Sequence, residues 1–392
     1  MKEVKSIILS SIITIAVVSF ALVYIFNVQV NDNRDSSDGS AKVVNALQVD
    51  EANSSINASR RNIITETVQK VSPAVVGINV TETVQYRYRS PFASDPFWSQ
   101  FFQDQVVQRQ LKGLGSGAII SPDGYILTND HVAGNASKVI VTMTDGKHYD
   151  AKIIGTDLVS DICVLKIDAE NLPYISLAKT DELLIGEWVI ALGNPFGLFA
   201  INDKPTVTVG VISATGMNLG ANEDRYYPNM IQTDASINNG NSGGPLVNAV
   251  GEMIGMNTLI YSKSGGSVGV GFAIPIQKIK SIIEELKTKG QVDRKFWTGL
   301  SIQTIDERIA KYYNLKSVRG VIVTVVAKDS PAYKAGIMVG DIINQVEDFR
   351  INDDATLISI LQEYRTDDVI TFEIVREGQV IKKPLKLERR DD

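Results

Sequence analysis

The chain opens on an apolar stretch. Ile7 to Phe26 is interrupted only by Ser and Thr, and about 20 such residues suffice to cross a bilayer as a helix. Lys2 and Lys5 precede it, which keeps residues 1–6 on the cytoplasmic side and sends the rest of the chain across. The competing reading is a cleaved leader with Ser19-Phe20-Ala21 as its small-x-small site. The apolar run continues past that site, so an uncleaved transmembrane anchor at 7–26 is the expectation. Residues 27–62 are polar, rich in Asn, Asp and Ser, and read as a flexible linker. A short helix is expected over Asn62–Val71, stopped by Ser72-Pro73.

From Ala74 the pattern changes to short β-branched runs separated by turns. Val75–Val80, Gly117–Ile120, Tyr125–Leu127, Lys138–Met143, Ala151–Ile154 and Ile162–Ile167 read as strands. Trp188–Leu192, Thr206–Ser213, Met230–Gln232, Pro245–Val247, Met253–Asn257 and Gly269–Ala273 form a second set. Two sets of about six short strands predict a mainly β chain with two small β-barrels. Ser121-Pro122-Asp123-Gly124 fits a type I turn, and Asp145-Gly146 is a hairpin signal. Val84–Lys112 breaks the pattern as a long loop with aromatic residues at Phe92, Phe97, Trp98, Phe101 and Phe102. Such a loop is either a partner-binding element or a local mini-core. Ile279, Ile282, Ile283 and Leu286 recur at helical spacing within Ile276–Lys289, with Gly290 as the cap. A third β-rich unit runs to Leu387. Ser330-Pro331-Ala332 opens one helix in it, Gly336 ends that turn, and Thr356–Tyr364 reads as another.

A chain of 392 residues is expected to hold more than one domain. Its net charge of −6, with no Lys/Arg run in the folded part, argues against nucleic acid as a partner. Cys163 is the only cysteine, which rules out an intrachain disulfide and a Cys-based metal site and leaves a small core residue.

The candidate chemistry gathers at Gly240-Asn241-Ser242-Gly243-Gly244-Pro245-Leu246. Glycines there allow positive φ, so amide groups of Gly240 and Ser242 can turn toward an oxyanion beside a Ser nucleophile. A Ser hydroxyl needs a base, and the two histidines, His131 and His148, both precede Ser242. The α/β-hydrolase elbow requires a later His and is excluded; the order His, Asp, Ser is that of the two-barrel chymotrypsin-like proteases. His131 follows a strand end and is the stronger base, whereas His148 lies in a surface hairpin. Asp161, just before the apolar strand Ile162–Ile167, is the best partner for the imidazole; Asp157 and Asp150 are the alternatives.

Thr128-Asn129-Asp130-His131-Val132, Ser160-Asp161-Ile162 and Gly240–Leu246 resemble the motifs of HtrA (Deg) serine proteases. Gly193-Asn194-Pro195-Phe196-Gly197 and Gly271-Phe272-Ala273-Ile274-Pro275 continue the resemblance over roughly residues 65–390. It implies His131, Asp161 and Ser242 as the triad. It implies a double-barrel protease domain over 63–290 that forms homotrimers, followed by a PDZ domain over 295–390. The anchor and single PDZ unit are similar to the DegS branch, and the aromatic loop to the regulatory loop of DegP and DegQ. Ala133 and the longer Phe199–Pro205 segment depart from the pattern. Trp297-Thr298-Gly299-Leu300 is similar to the PDZ loop that receives a C-terminal carboxylate. Ile237, Tyr261 and Val270 are implied to line the pocket for the side chain before the scissile bond. Independently, Ala235–Asn239 and Thr258–Tyr261 carry no acidic residue, so that pocket is expected to favour small apolar side chains and reject Lys and Arg.

The expected function is an ATP-independent serine endopeptidase of the cell envelope. It would be held in the inner membrane facing the periplasm and would act on misfolded or regulatory proteins in a stress response. No metal and no cofactor are expected. The alternative is a chaperone-like binding scaffold in which the PDZ unit does the work.

Overall fold

The computed structural model describes residues 60–88, 105–179, 182–194, 203–222, 225–260, 266–313, 315 and 318–389. The apolar run 7–26, the aromatic cluster at 92–102, Pro195–Gly197 and Tyr261 lie outside the described residues. Among the described residues no helix is long and apolar enough to cross a membrane.

A helix over Ile63–Val71 ends in a 3₁₀ turn at Ser72–Ala74, where Pro73 takes the first turn. Its polar side is tied down by Thr67 Oγ1 donating to the Ala249 carbonyl at 2.5 Å and by Lys70 Nζ to the Val250 carbonyl at 3.0 Å. The first barrel follows. Its strands are β1 (Val75–Tyr88), β2 (Gln105–Ile119), β3 (Tyr125–Thr128), β4 (Lys138–Thr142), β5 (His148–Asp157) and β6 (Ile162–Ile167). They close in the order β1-β2-β3-β6-β5-β4. The strands leading to the second barrel and through it are β7 (Trp188–Gly193), β8 (Thr206–Met217), the two-residue strands β9 (Ala221–Asn222) and β10 (Arg225–Tyr226), and β11 (Met230–Thr233). After them come β12 (Pro245–Asn248), β13 (Met253–Ile260) and β14 (Gly271–Pro275). The second barrel closes as β11-β14-β13-β12-β7-β8, with β9 and β10 a separate hairpin.

The two-barrel expectation therefore holds, and one part of the strand reading is corrected. The segments at 84–88 and 105–112 are not loop. β1 and β2 pair without a break from Val75↔Ala118 to Tyr88↔Gln105, a ribbon that runs out of the barrel. Polar residues such as Thr81 and Thr83 hide this extension from a search for apolar runs, because a solvated antiparallel pair needs no buried face. β5 is longer than expected for the same reason, and β14 starts two residues later than read.

The helix Ile276–Lys289 carries its isoleucines and Leu286 into the shared core of both barrels. Gly290 ends it at φ 71°, returning its N–H to the Leu286 carbonyl. A second layer of structure follows: β15 (Phe296–Trp297), β16 (Leu300–Thr304), β17 (Val321–Val326), β18 (Ile342–Val346), β19 (Phe349–Arg350), β20 (Val369–Arg376), β21 (Gln379–Lys386) and β22 (Glu388–Arg389). The main sheet runs β16-β17-β18-β20-β21, with β19 on β18, so β16 is an edge strand. Ser330 caps the turn Pro331–Lys334 by accepting the Tyr333 N–H, and Asp353 caps the helix Asp354–Leu361 through the Thr356 N–H. Leu357 and Ile360 of that helix pack on Val321, Ile343, Phe372 and Leu385 in a core of their own.

Candidate active site

The site lies where the two barrels meet. His131 sits in a single helical turn, Asp130–Ala133, directly after β3. Asp161 sits in the tight turn before β6, in the left-handed region at φ 58°, a conformation that Asp tolerates better than most residues. Ser242 sits in the turn before β12. The first barrel thus supplies the imidazole and the carboxylate, and the second supplies the hydroxyl.

Asp161 is fully buried and gathers donors from four directions. The His131 ring nitrogen Nδ1 lies 2.8 and 2.9 Å from its two oxygens, and the His131 backbone N–H donates to Oδ1 at 3.0 Å. The Thr258 hydroxyl donates to Oδ2 at 2.7 Å and the Tyr227 phenol at 3.3 Å. Burial alone would raise the carboxyl pKa, but these donors and the His131 charge outweigh it, so Asp161 is held below the ordinary carboxylate value. Burial and the adjacent Asp161 together push the Tyr227 phenol above its usual range, keeping it a donor. An ionised Asp161 accepting the Nδ1 proton leaves Nε2 as the basic nitrogen.

The Ser242 hydroxyl donates to the Thr258 carbonyl at 3.1 Å rather than to His131. Thr258 therefore touches both Ser242 and Asp161. Such hydroxyl–imidazole bonds commonly tighten only when substrate arrives. Gly240 has φ 98° and its carbonyl accepts the Ser116 hydroxyl. The same hydroxyl accepts the Asn194 N–H at 2.7 Å, and the Ser116 N–H reaches the Ser242 carbonyl at 2.9 Å. With these carbonyls turned into the protein, the Gly240 and Ser242 amides have no acceptor among the described residues. Gly243 has no room for a side chain: a Cβ would lie 2.2 Å from the Ser116 carbonyl oxygen and 2.3 Å from Thr128 Oγ1.

The alternatives to these residues are occupied elsewhere. His148 is exposed, with Nδ1 3.0 Å from the Thr142 hydroxyl. Asp150 pairs with Lys138 at 3.4 Å on the surface. Asp157 binds Arg294 and accepts the Ser160 N–H at 3.1 Å. A cleft of 430 Å³ opens over His131, Ser242 and Gly240, walled by Leu114, Val132 and Arg225. Ile237 is buried beneath Gly271, where a Cβ would come within 2.9 Å of it, and Val270 is half-buried on the approach to β14. Asn238 Oδ1 accepts the Ser267 N–H at 2.9 Å, joining the two stretches that carry them. Cys163 is buried and its thiol is pushed up to about 12 by burial and by Asp130. No cluster of His, Cys, Asp and Glu among the described residues is arranged to hold a metal ion.

The Trypsin-like peptidase domain family matches residues 115–256, and the PDZ domain family matches 298–387. A probable periplasmic serine endoprotease, DegP-like, from Marinomonas sp. (strain MWYL1) is 39% identical over 342 residues, 83% of this chain and 71% of its own length. The DegP-like protein of Chlamydia pneumoniae is 43% identical over 332 residues, covering 81% of this chain and 66% of that one. The chain belongs to the HtrA family of DegP-like serine endoproteases. It spans about two thirds of the length of these curated relatives. Among solved structures, the HtrA-type protease AlgW with a decapeptide aligns with a TM-score of 0.63 at 35% identity, over 85% of this chain and 100% of that one. The serine endoprotease from Yersinia pestis aligns at 0.55 and 34% identity, over 84% and 99%.

In this HtrA-type chain the loop Trp297-Thr298-Gly299-Leu300 leads into the edge strand β16. Gly299 has φ 77°, and a Cβ there would strike Ser330 at 2.1 Å. The Thr298 and Gly299 carbonyls accept the Ala332 and Ala327 N–H groups, which fixes the loop, and the Leu300 N–H donates to the Thr298 hydroxyl at 3.3 Å. Sequence reasoning missed Ser116, Arg225, Tyr227 and Thr258. Ser116 was visible as the polar member of Gly115-Ser116-Gly117; the others carry no local signal, because only the closed barrels bring them to Asp161.

Proposed function

We propose that the protein is a serine endopeptidase that works without metal or nucleotide. Ser242 Oγ attacks the scissile carbonyl while His131 Nε2 takes its proton, and the Gly240 and Ser242 amides hold the oxyanion. As the C–N bond breaks, His131 returns the proton to the leaving amine. Water then cleaves the acyl-enzyme by the same route. Asp161 orients the ring and stabilises the imidazolium. The observation that carries this reading is the set of contacts His131–Asp161–Thr258–Ser242 across the barrel interface.

The finer reading rests on sequence and kinship. Ile237, Tyr261 and Val270 form an apolar pocket for the residue before the cut. Trp297–Leu300 and the free edge of β16 receive the C-terminal ends of peptides as an added strand. The segment 7–26 anchors a homotrimer in the inner membrane with the protease in the periplasm, where unfolded or misfolded proteins are the substrates. The domain limits 63–290 and 295–390 belong to the same proposal.

A fluorophosphonate probe tests the central claim. It should label the wild type at Ser242 and not Ser242→Ala, and Ser242→Ala should lose about six orders of magnitude in turnover of denatured casein. Casein cleavage at the wild-type rate by Ser242→Ala would overturn the assignment.

A further inference from the structure

The triad does not stand alone. Asp130, next in the chain to His131, is almost fully buried, yet it is not solvated and not part of the triad. Its Oδ2 pairs with Arg225 Nη2 at 2.9 Å, and its Oδ1 accepts the Thr156 hydroxyl at 2.5 Å. The same guanidinium places Nε 3.5 Å from Asp161 Oδ1, the oxygen that also accepts the His131 backbone N–H. Arg225 therefore stands between two buried carboxylates, Asp161, which holds the imidazole, and Asp130, the chain neighbour of His131. Its segment is built for this. Tyr226 is fixed to the turn before Asp161 through its N–H to the Val159 carbonyl at 2.9 Å. In an extended chain, residues two apart share a face, so Arg225 and Tyr227 both reach Asp161.

We infer that Arg225 is a positioning residue that, with Asp130, sets the proton affinity of His131. Without Arg225, two buried carboxylate charges would stand uncompensated around the His131 turn, and nearby negative charge favours the protonated form of an imidazole. Arg225 offsets one of those negative charges and leaves a single net negative charge behind the ring. The other groups facing this cluster are few. The Thr258 hydroxyl and Tyr227 phenol are neutral donors to Asp161. Glu82 and Lys112, of opposite sign, line the cleft in front of the ring, and Asp157 is neutralised by Arg294. The guanidinium itself is fit for the task. Burial disfavours its charge, but the bond to Asp130 and the charges of Asp161 and Asp130 hold it above its ordinary value.

This inference rests on His131 being the general base, and the experiment separates the two. The full-length protein contains only two histidines, so the His131 ring signal can be assigned in an NMR titration by comparison with His148→Gln. In a Ser242→Ala background, Arg225→Gln should move the titration midpoint up by about one pH unit, the scale on which a neighbouring charge acts. Asp130→Asn should move it down, Asp130→Asn/Arg225→Gln should return it toward wild type, and Arg225→Lys should fall between wild type and Arg225→Gln. In the active protein the acid limb of kcat/KM should follow in the same order. Lowered activity with an unmoved ring titration in the folded variants would overturn the inference and leave Arg225 a packing residue. If Arg225→Gln does not fold, Asp130→Asn and Arg225→Lys carry the test, and an unmoved midpoint in both is equally fatal. Retained activity in His131→Ala would instead overturn the assignment of the base.

Discussion

Removing one hydroxyl from Ser116 should disarm the enzyme without touching the triad. Ser116 is fully buried on β2, and its hydroxyl links the Gly240 carbonyl to the Asn194 N–H. Ser116→Ala leaves the Asn194 N–H buried and unpaired, Asn194 being 2% exposed, and takes the partner from the half-buried Gly240 carbonyl. A buried group left so costs about 1–3 kcal/mol and the half-buried carbonyl less, so stability should fall by about 1–4 kcal/mol. At about 2 °C per kcal/mol for a unit the size of the two barrels, that is roughly a 2–8 °C fall in Tm. The catalytic effect is separate. The Gly240 carbonyl is what fixes the adjacent peptide, and a freed peptide misaligns an oxyanion donor whose full loss costs about 10²–10³ in kcat. Partial misalignment should cost about tenfold to a hundredfold in kcat with KM nearly unchanged, because the donor matters most in the transition state. The assay is steady-state cleavage of a fluorogenic peptide at a temperature well below the variant's Tm, paired with differential scanning calorimetry. A Tm loss of the expected size with kcat within twofold of wild type would refute the proposed link between Ser116 and the oxyanion donors.

Gly243→Ala should abolish activity, because the added Cβ would sit 2.2 Å from the Ser116 carbonyl at φ 84°; a fluorophosphonate labelling rate near wild type would contradict this. Arg294→Met should destabilise the protein by about 3–5 kcal/mol by leaving Asp157 buried and uncompensated, and urea unfolding would measure it. For Asp161 the folded-state value is depressed, so its stabilising contribution is present above the ordinary carboxylate value of 3.8 and disappears as pH falls through the lower folded value. Thermal unfolding of Ser242→Ala should therefore show no loss from this residue between pH 7 and 5, in about the range where the unfolded carboxylate stays charged. Below that range it should lose stability more steeply than Ser242→Ala/Asp161→Asn does.

The barrels were legible because their core strands are short, β-branched and bounded by turn residues; Ile162–Ile167 and the helix Ile276–Lys289 were read to the residue. The outer half of the β1–β2 ribbon was not, because its polar residues carry no burial pattern. His131 and Ser242 could be singled out as candidates because histidine is scarce and the Ser lies in a glycine-rich turn, both local facts. Only tertiary contact distinguishes the candidate carboxylates: Asp157 and Asp161 stand four residues apart, and one faces Arg294 while the other faces His131. Arg225 and Thr258 were invisible for the same reason, since 64 and 97 residues separate them from Asp161 in the chain.

Arg294 lies just past the helix that closes the barrels, with its side chain 8% exposed. It donates to Asp157, to the Ser160 hydroxyl at 2.8 Å and to the Gln362 carbonyl at 2.7 Å. The turn that presents Asp161 is thus riveted through the Arg294 guanidinium to the end of the helix Asp354–Leu361 in the carboxyl-terminal domain. This restricts how the parts can be exchanged. A chimera that joins these barrels to a foreign carboxyl-terminal domain at residue 296 retains Arg294 but loses the carbonyl that aims it, while a longer spacer after Gly290 carries the arginine away from Asp157. In this chain the two domains are not interchangeable modules on a string, because the joint between them is also the back wall of the catalytic turn.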